Sequence, residues 1–175
     1  MSFERINEPI GYLITFTTYG TWLHGNQAGS VLKDKKNSGT KLLDAEPKLE
    51  KTEIATLQNT PFIMNFQHRR IVLEAILEVC RYRHWNAYAV HVRTNHVHAV
   101  VSGKSPVERI MNDFKIYGTK ALKKDASPPL PGKLWTRHGS TRYLWNQQEL
   151  PDAVCYVRDR QGKIMAFGQT VSEEI

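Results

Sequence analysis

Asn95-His96-Val97-His98-Ala99-Val100-Val101 sets two histidines one residue apart at the head of an apolar run. A run of this kind reads as a β-strand, and successive strand side chains point to opposite sheet faces. His96 and His98 therefore share one face, while Val97, Ala99 and Val101 take the other. Two imidazoles side by side can hold one divalent ion. The same pair could equally decorate a half-exposed strand. Further along, Ala153-Val154-Cys155-Tyr156-Val157 has helical character. With Val154 and Val157 turned to a core, Tyr156 projects well away from it, on the polar side with Asp152, Asp159 and Arg160. A phenol is a poor nucleophile at its free pKa of ~10. It becomes useful against a phosphate that a metal ion polarises; a surface tyrosine is the plainer reading.

The elements that must position these residues follow from periodicity and punctuation. Gly11–Thr18 is β-branched and aromatic, and reads as a first strand. Residues 19–65 form a long irregular insertion, with helical character over 47–59. Phe66–Trp85 reads as a helix with Val72, Leu73, Ile76, Leu77, Val79 and Cys80 inward and Asn65 as its N-cap. Asn86–Arg93 is a second strand, and Thr94-Asn95 a tight turn in which Asn tolerates positive φ. The HxH strand then returns antiparallel. Ser105-Pro106-Val107-Glu108 predicts a helix start, with Ser as cap and Pro at the first position. That helix runs to about Lys124. Leu134–Trp145 looks like one bent strand or two short ones broken at Gly139, and Pro151–Gln161 is a last helix ended by Gly162. The order predicts a single α+β domain over 1–175: a ferredoxin-like antiparallel sheet, HxH on an interior strand and the main helices on one face. The other face is left for metal and substrate.

Composition narrows the partners. The chain has 175 residues and a net charge of +7, with basic residues spread along it rather than gathered in a tail. Such a balance attracts polyanions, nucleic acid first. No apolar run approaches the roughly 20 residues of a membrane span, and Met1–Arg5 lacks the basic and apolar regions of a signal peptide. A cytoplasmic protein without membrane contact is expected. The two cysteines, Cys80 and Cys155, form no CxxC pair, read as reduced thiols, and exclude a four-cysteine zinc site by count.

Asn95–Val101, the helix opening Val107-Glu108-Arg109-Ile110-Met111-Asn112-Asp113-Phe114-Lys115, Leu134-Trp135 and the terminal Ala153–Val157 together resemble one known pattern. It is that of the single-tyrosine HUH transposases, the insertion-sequence type and their REP-associated relatives. Gly20-Thr21-Trp22-Leu23-His24-Gly25 is similar to a stretch found in proteins of the group. The resemblance spans roughly residues 10–165. It implies a metal-dependent single-stranded DNA endonuclease and strand transferase. His96 and His98 would bind Mg²⁺ or Mn²⁺, and Tyr156 would form a covalent 5′-phosphotyrosine intermediate. The partner it implies is single-stranded or hairpin DNA, with a homodimer as one possible assembly. The family places Gln, Asn or Glu four residues after the tyrosine as a third ligand. Here that residue is Arg160, which cannot bind a cation. Ideal-helix geometry favours Asp159 in that role, with Gln161 the alternative by resemblance. Arg160 also keeps a second reading open: a non-catalytic or domesticated nucleic-acid-binding protein of the same fold.

Other residues carry two readings each. His24 could approach the site or be structural. His91, on the strand beside HxH, could complete a three-histidine zinc cluster. Arg137-His138-Gly139-Ser140-Thr141-Arg142 is rich in donors and could bind phosphates, as could Lys115 and Arg160. Trp135, Tyr143 and Trp145 could stack on bases or fill the core. Asn112, Lys115, Thr119 and Lys123 form a polar helix stripe that is solvated or contacts a DNA backbone.

Overall fold

A computed structural model of the chain describes residues 8–21, 30–33, 40–43, 60–124 and 129–170. The predicted helix at 47–59 and the Trp22–Gly25 stretch with His24 lie outside them. The elements run β1 (Gly11–Thr18), β2 (Ser30–Lys33), β3 (Thr40–Leu43), α1 (Phe66–Arg83), β4 (Asn86–Val92), β5 (His96–Ser102), α2 (Val107–Lys124), β6 (Trp135–Leu144), α3 (Glu149–Asp159) and β7 (Ala166–Gly168). Five strands form one antiparallel sheet in the order β6-β1-β5-β4-β7, and β2 pairs with β3 separately. Without β7, that is the ferredoxin-like arrangement. The fold class is α+β, and the HxH strand β5 lies at the centre of the sheet.

One face is the core. Ile14 and Phe16 of β1, Val97, Ala99 and Val101 of β5, and Val90 and Val92 of β4 meet Val72, Ile76 and Val79 of α1 and Ile110 and Phe114 of α2. Each fully buried side chain of this size is worth about 1.5–3 kcal/mol. A smaller apolar cluster lies on the opposite face, where Ala89, Val100 and Leu144 hold Leu150, Ala153 and Val157 of α3. Thus α1 and α2 share one face as expected, and α3 packs on the histidine face.

Local rules explain most of the elements. Asn65 accepts from the His68 backbone and His68 reaches back to the Asn65 N–H, so α1 opens on a capping box. It closes on His84 at φ 57, the left-handed cap more often given to glycine. Four local features differ from the sequence reading. α2 begins at Val107, with the Pro106 carbonyl accepting from Arg109 and Ile110, so Pro106 precedes the helix rather than opening it. Asn95 does not use positive φ, since His84 is the one such non-glycine residue among those described. The strand β6 is not broken at Gly139. It runs through, because a Cβ there would stand 2.5 Å from Met111 Sδ and 2.6 Å from the Thr15 carbonyl oxygen. Glycine thus permits a close approach at the edge of the register irregularity. Finally, α3 spans Glu149–Asp159, starting and ending two residues early, with Pro151 tolerated in its first turn. No helix among the described residues is long and apolar enough to cross a membrane.

Candidate active site

The register places the site across three elements. Thr17 stands opposite His96 and Thr15 opposite His98 on β1, while His91 stands opposite His98 on β4. The two HxH rings lie 4.8 Å apart at 74°. The Tyr156 ring, brought over the sheet by α3, lies 5.8 Å from His98 at 77°. Tyr156 remains 39% exposed while Val157 beside it is fully buried. The predicted polar orientation of the tyrosine is therefore the observed one, and the face it turns to is that of the histidines. Two other tyrosines, Tyr117 and Tyr143, are elsewhere. Tyr117 packs against the α1/α2 core, and Tyr143 meets Tyr12, on the α1/α2 side of β1.

Both imidazoles are held at Nδ1. The Asn95 side-chain oxygen is 2.7 Å from His96 Nδ1, and Thr15 Oγ1 is 2.7 Å from His98 Nδ1. An Nδ1–H donated to these oxygens leaves each Nε2 with its lone pair, the arrangement that second-shell partners impose on metal-binding histidines. Burial pushes His96 down to about 4, helped by the charge of Arg93 and by His91. Burial also pushes His98 down to about 4, with His96 and His91 adding to the effect and a hydrogen bond to Gln161 opposing it. Both rings are neutral near pH 7, the form that ligates metal.

Asn95 escaped the sequence reading except as a turn residue. Its carbonyl also accepts from the Thr18 N–H, Thr18 Oγ1 and Thr21 Oγ1, so the turn before His96 is tied to the end of β1. Its direct adjacency to HxH was the available signal.

The two candidates for a third ligand are placed differently. Asp159 turns outward, and its carboxylate takes Arg158 Nε at 2.9 Å and a second guanidinium nitrogen at 3.0 Å. Gln161 instead sends its amide nitrogen to the Tyr156 carbonyl at 3.3 Å, and its side chain comes near enough to His98 to raise that imidazole's pKa. The helix stops at Asp159, so Gln161 lies beyond it and off the helical register. Arg160, the C-cap residue, is exposed.

Two further expectations are corrected. His91 cannot complete a three-histidine cluster, because both its ring nitrogens are occupied: Nδ1 by the Val157 carbonyl at 3.0 Å, Nε2 by the Met165 N–H at 3.1 Å. Burial lowers its pKa. Lys115 does not face solvent. It is buried, and its ammonium donates to the carbonyls of Thr136, Arg137 and His138 at 3.1, 3.4 and 3.2 Å. The β1–β6 register shifts between Phe16 and Thr18, and these carbonyls lie beside the irregularity. A buried donor satisfies them. Trp135 is likewise a core residue, donating to the Lys115 carbonyl and Thr119 Oγ1. Tyr143 and Trp145 are exposed and stack on each other at 5.8 Å, away from the histidines.

The remaining basic residues divide. Arg137 and His138 are exposed and line a groove of about 440 Å³ with Thr15, Thr17, Thr136 and Ser140, directly beside the HxH pair. Arg142 lies further along β6 and pairs with Glu149 at 3.3 Å. No cluster of three His, Cys, Asp or Glu side chains placed for a metal ion occurs among the described residues. The donor set at the site is two neutral imidazoles and one amide, which fits a divalent ion of the softer, imidazole-accepting kind.

A solved structure similar to this chain is that of a REP-associated tyrosine transposase bound to a REP hairpin. It shares 13% identity over 91% of this chain and 72% of that chain, with a TM-score of 0.48. No family model and no curated protein matches the sequence.

Proposed function

We propose that the protein is a metal-dependent, tyrosine-using nicking and joining enzyme acting on single-stranded or hairpin DNA. The observation that carries this reading is the convergence of His96, His98, Tyr156 and Gln161 on one sheet face, from segments sixty residues apart in sequence. His96, His98 and Gln161 are the residues that would hold the ion, Mn²⁺ suiting imidazole somewhat better than Mg²⁺. When bound, the ion supplies charge stabilisation at the scissile phosphate and at the departing oxygen.

The chain's own residues do the rest. Tyr156, exposed above the pair, attacks phosphorus through Oη and loses its phenol proton. The new O–P bond replaces the P–O3′ bond, and the departing oxygen takes up a proton to become a 3′-OH. One phosphodiester is exchanged for another, so no nucleotide cofactor is required. Attack by a different 3′-OH reverses the step and joins strands. Arg137 and His138, which line the groove with Thr15, would meet backbone phosphates of the same strand.

The test is a labelled hairpin oligonucleotide with single-stranded flanks, incubated with Mn²⁺ and run on a denaturing gel. Wild type should leave a protein–DNA adduct. Tyr156→Phe should abolish it while binding persists, and His96→Ala/His98→Ala should abolish cleavage. An adduct from the Phe variant sinks the assignment. The rival, a nucleic-acid-binding protein without chemistry, has in its favour that no carboxylate joins the histidines among the described residues. Binding without nicking at any Mn²⁺ concentration would select it.

A further inference from the structure

His91 is a fully buried polar residue that the chemistry above does not use. It faces the active-site side of the sheet because of an irregularity in its own strand. Ala87 packs in the core with α1 and α2, while Ala89, two residues on, packs under α3. In a regular strand, residues two apart share a face. The register shift between Ala87 and Ala89 breaks that rule, and a bulge of this kind re-aims the residues beyond it. Val90 and Val92 then turn to the core, and His91 turns to α3, opposite His98.

There it meets a specific need. A helix leaves its last four carbonyls without intrahelical partners. In α3 those belong to Tyr156, Val157, Arg158 and Asp159. Tyr156's carbonyl is served by the Arg160 N–H and by Gln161. Val157's is served by His91 Nδ1, from the sheet below. The other ring nitrogen takes the Met165 N–H, just before β7. One imidazole therefore ties together the end of the tyrosine helix, the HxH-paired strand and the chain that returns to the sheet edge.

We propose that His91 is a positioning residue: it fixes the C-terminal turn of α3, and with it the Tyr156 ring, over the His96–His98 pair. The inference rests on the functional reading above. A displaced nucleophile costs rate rather than affinity, and misplacement by about 1 Å can cost up to ~10²-fold. The bond to Val157 is one residue from Tyr156, so its loss acts on attack and not on the groove beside β6.

His91→Leu removes both hydrogen bonds, and His91→Asn retains an amide N–H for the Val157 carbonyl. With the same oligonucleotide at saturation, the Leu variant should form the Tyr156 adduct at least about tenfold more slowly, with its Kd within about twofold of wild type. The Asn variant should recover part of the rate. A merely structural role would lower the fraction of active protein and leave the rate of that fraction unchanged. That result, or an unchanged rate in Leu, overturns the proposal. Hydrogen exchange of residues 153–159 is the arm independent of activity. It should rise in the Leu variant while β5 stays protected, and equal exchange overturns the proposal. Should the Leu variant fail to fold, ¹⁵N NMR of the wild type decides: His91 should carry its proton on Nδ1, and an Nε2–H tautomer refutes the proposed bonding. A wild type that forms no adduct removes the reaction being positioned, whereas exchange and tautomer still report on the clamp itself.

Discussion

Where β1 meets the start of β5, the two faces of one sheet differ in chemistry although the same strands build both. On the α1/α2 side, β5 presents Val97, Ala99 and Val101, all fully buried. On the α3 side, the same strand presents His96 and His98, and β1 adds Thr15 and Thr17. The first face stabilises through close packing of apolar groups. The second buries polar groups and must satisfy each of them, as Thr15 does for His98 and Asn95 for His96. Stability and chemistry are thereby separated by one residue of register, so damage to one face need not reach the other.

The largest test of that separation is Phe114→Ala on the core face. Removing this fully buried ring should cost about 3–5 kcal/mol, read as a lower denaturation midpoint. Thr15→Val keeps the shape of the histidine face but strips the hydroxyl from His98. It should lower Mn²⁺-dependent cleavage by ~10–100-fold, as loss of an outer-shell partner does. In the same assay Gln161→Ala should impair cleavage and Asp159→Ala should not; the reverse would restore Asp159 as the ligand. Gly139→Ala couples the faces, because its Cβ would press on both Met111 and the Thr15 carbonyl. A loss of about 1–3 kcal/mol, with reduced cleavage, is expected. Acid stability tests the histidine face alone. Unfolded histidine titrates near ~6.5, and burial holds His96 and His98 at about 4. The folded value is the lower, so stability present above pH ~6.5 is lost as the pH falls towards about 4. Denaturation midpoints of His96→Ala/His98→Ala should show a flatter slope through that window.

What the sequence made legible was whatever depends on local periodicity. Alternation placed His96 and His98 together, helical spacing gave the α1 core residues, and Asn65 announced the start of α1. The paired helices and the interior position of β5 followed from element order. What stayed hidden depends on contacts between distant elements. Lys115 sits in a polar stripe, and only the β6 carbonyls beside the irregularity draw it inward. Gly139 looked like a break until Met111 occupied the space of its missing Cβ. The placement of Asp159 and Gln161 stayed hidden because an ideal helix does not reveal where α3 stops. His91 needed the bulge near Tyr88, which nothing in Asn86–Val92 declares.

One detail at the edge of the site bears on how the gene could be rebuilt. The chain leaves β1 at Tyr19 and is back beside it at Phe62, whose N–H donates to the Tyr19 carbonyl at 3.0 Å. Gly20 and Pro61 are in contact there, and Phe62 and Met64 are already core residues. The two ends of the intervening segment are thus held together just beyond the end of β1. Loop closure grows only slowly with length. A connector of another length, or a foreign module whose termini lie close together, would meet the same two fixed ends at Tyr19 and Phe62.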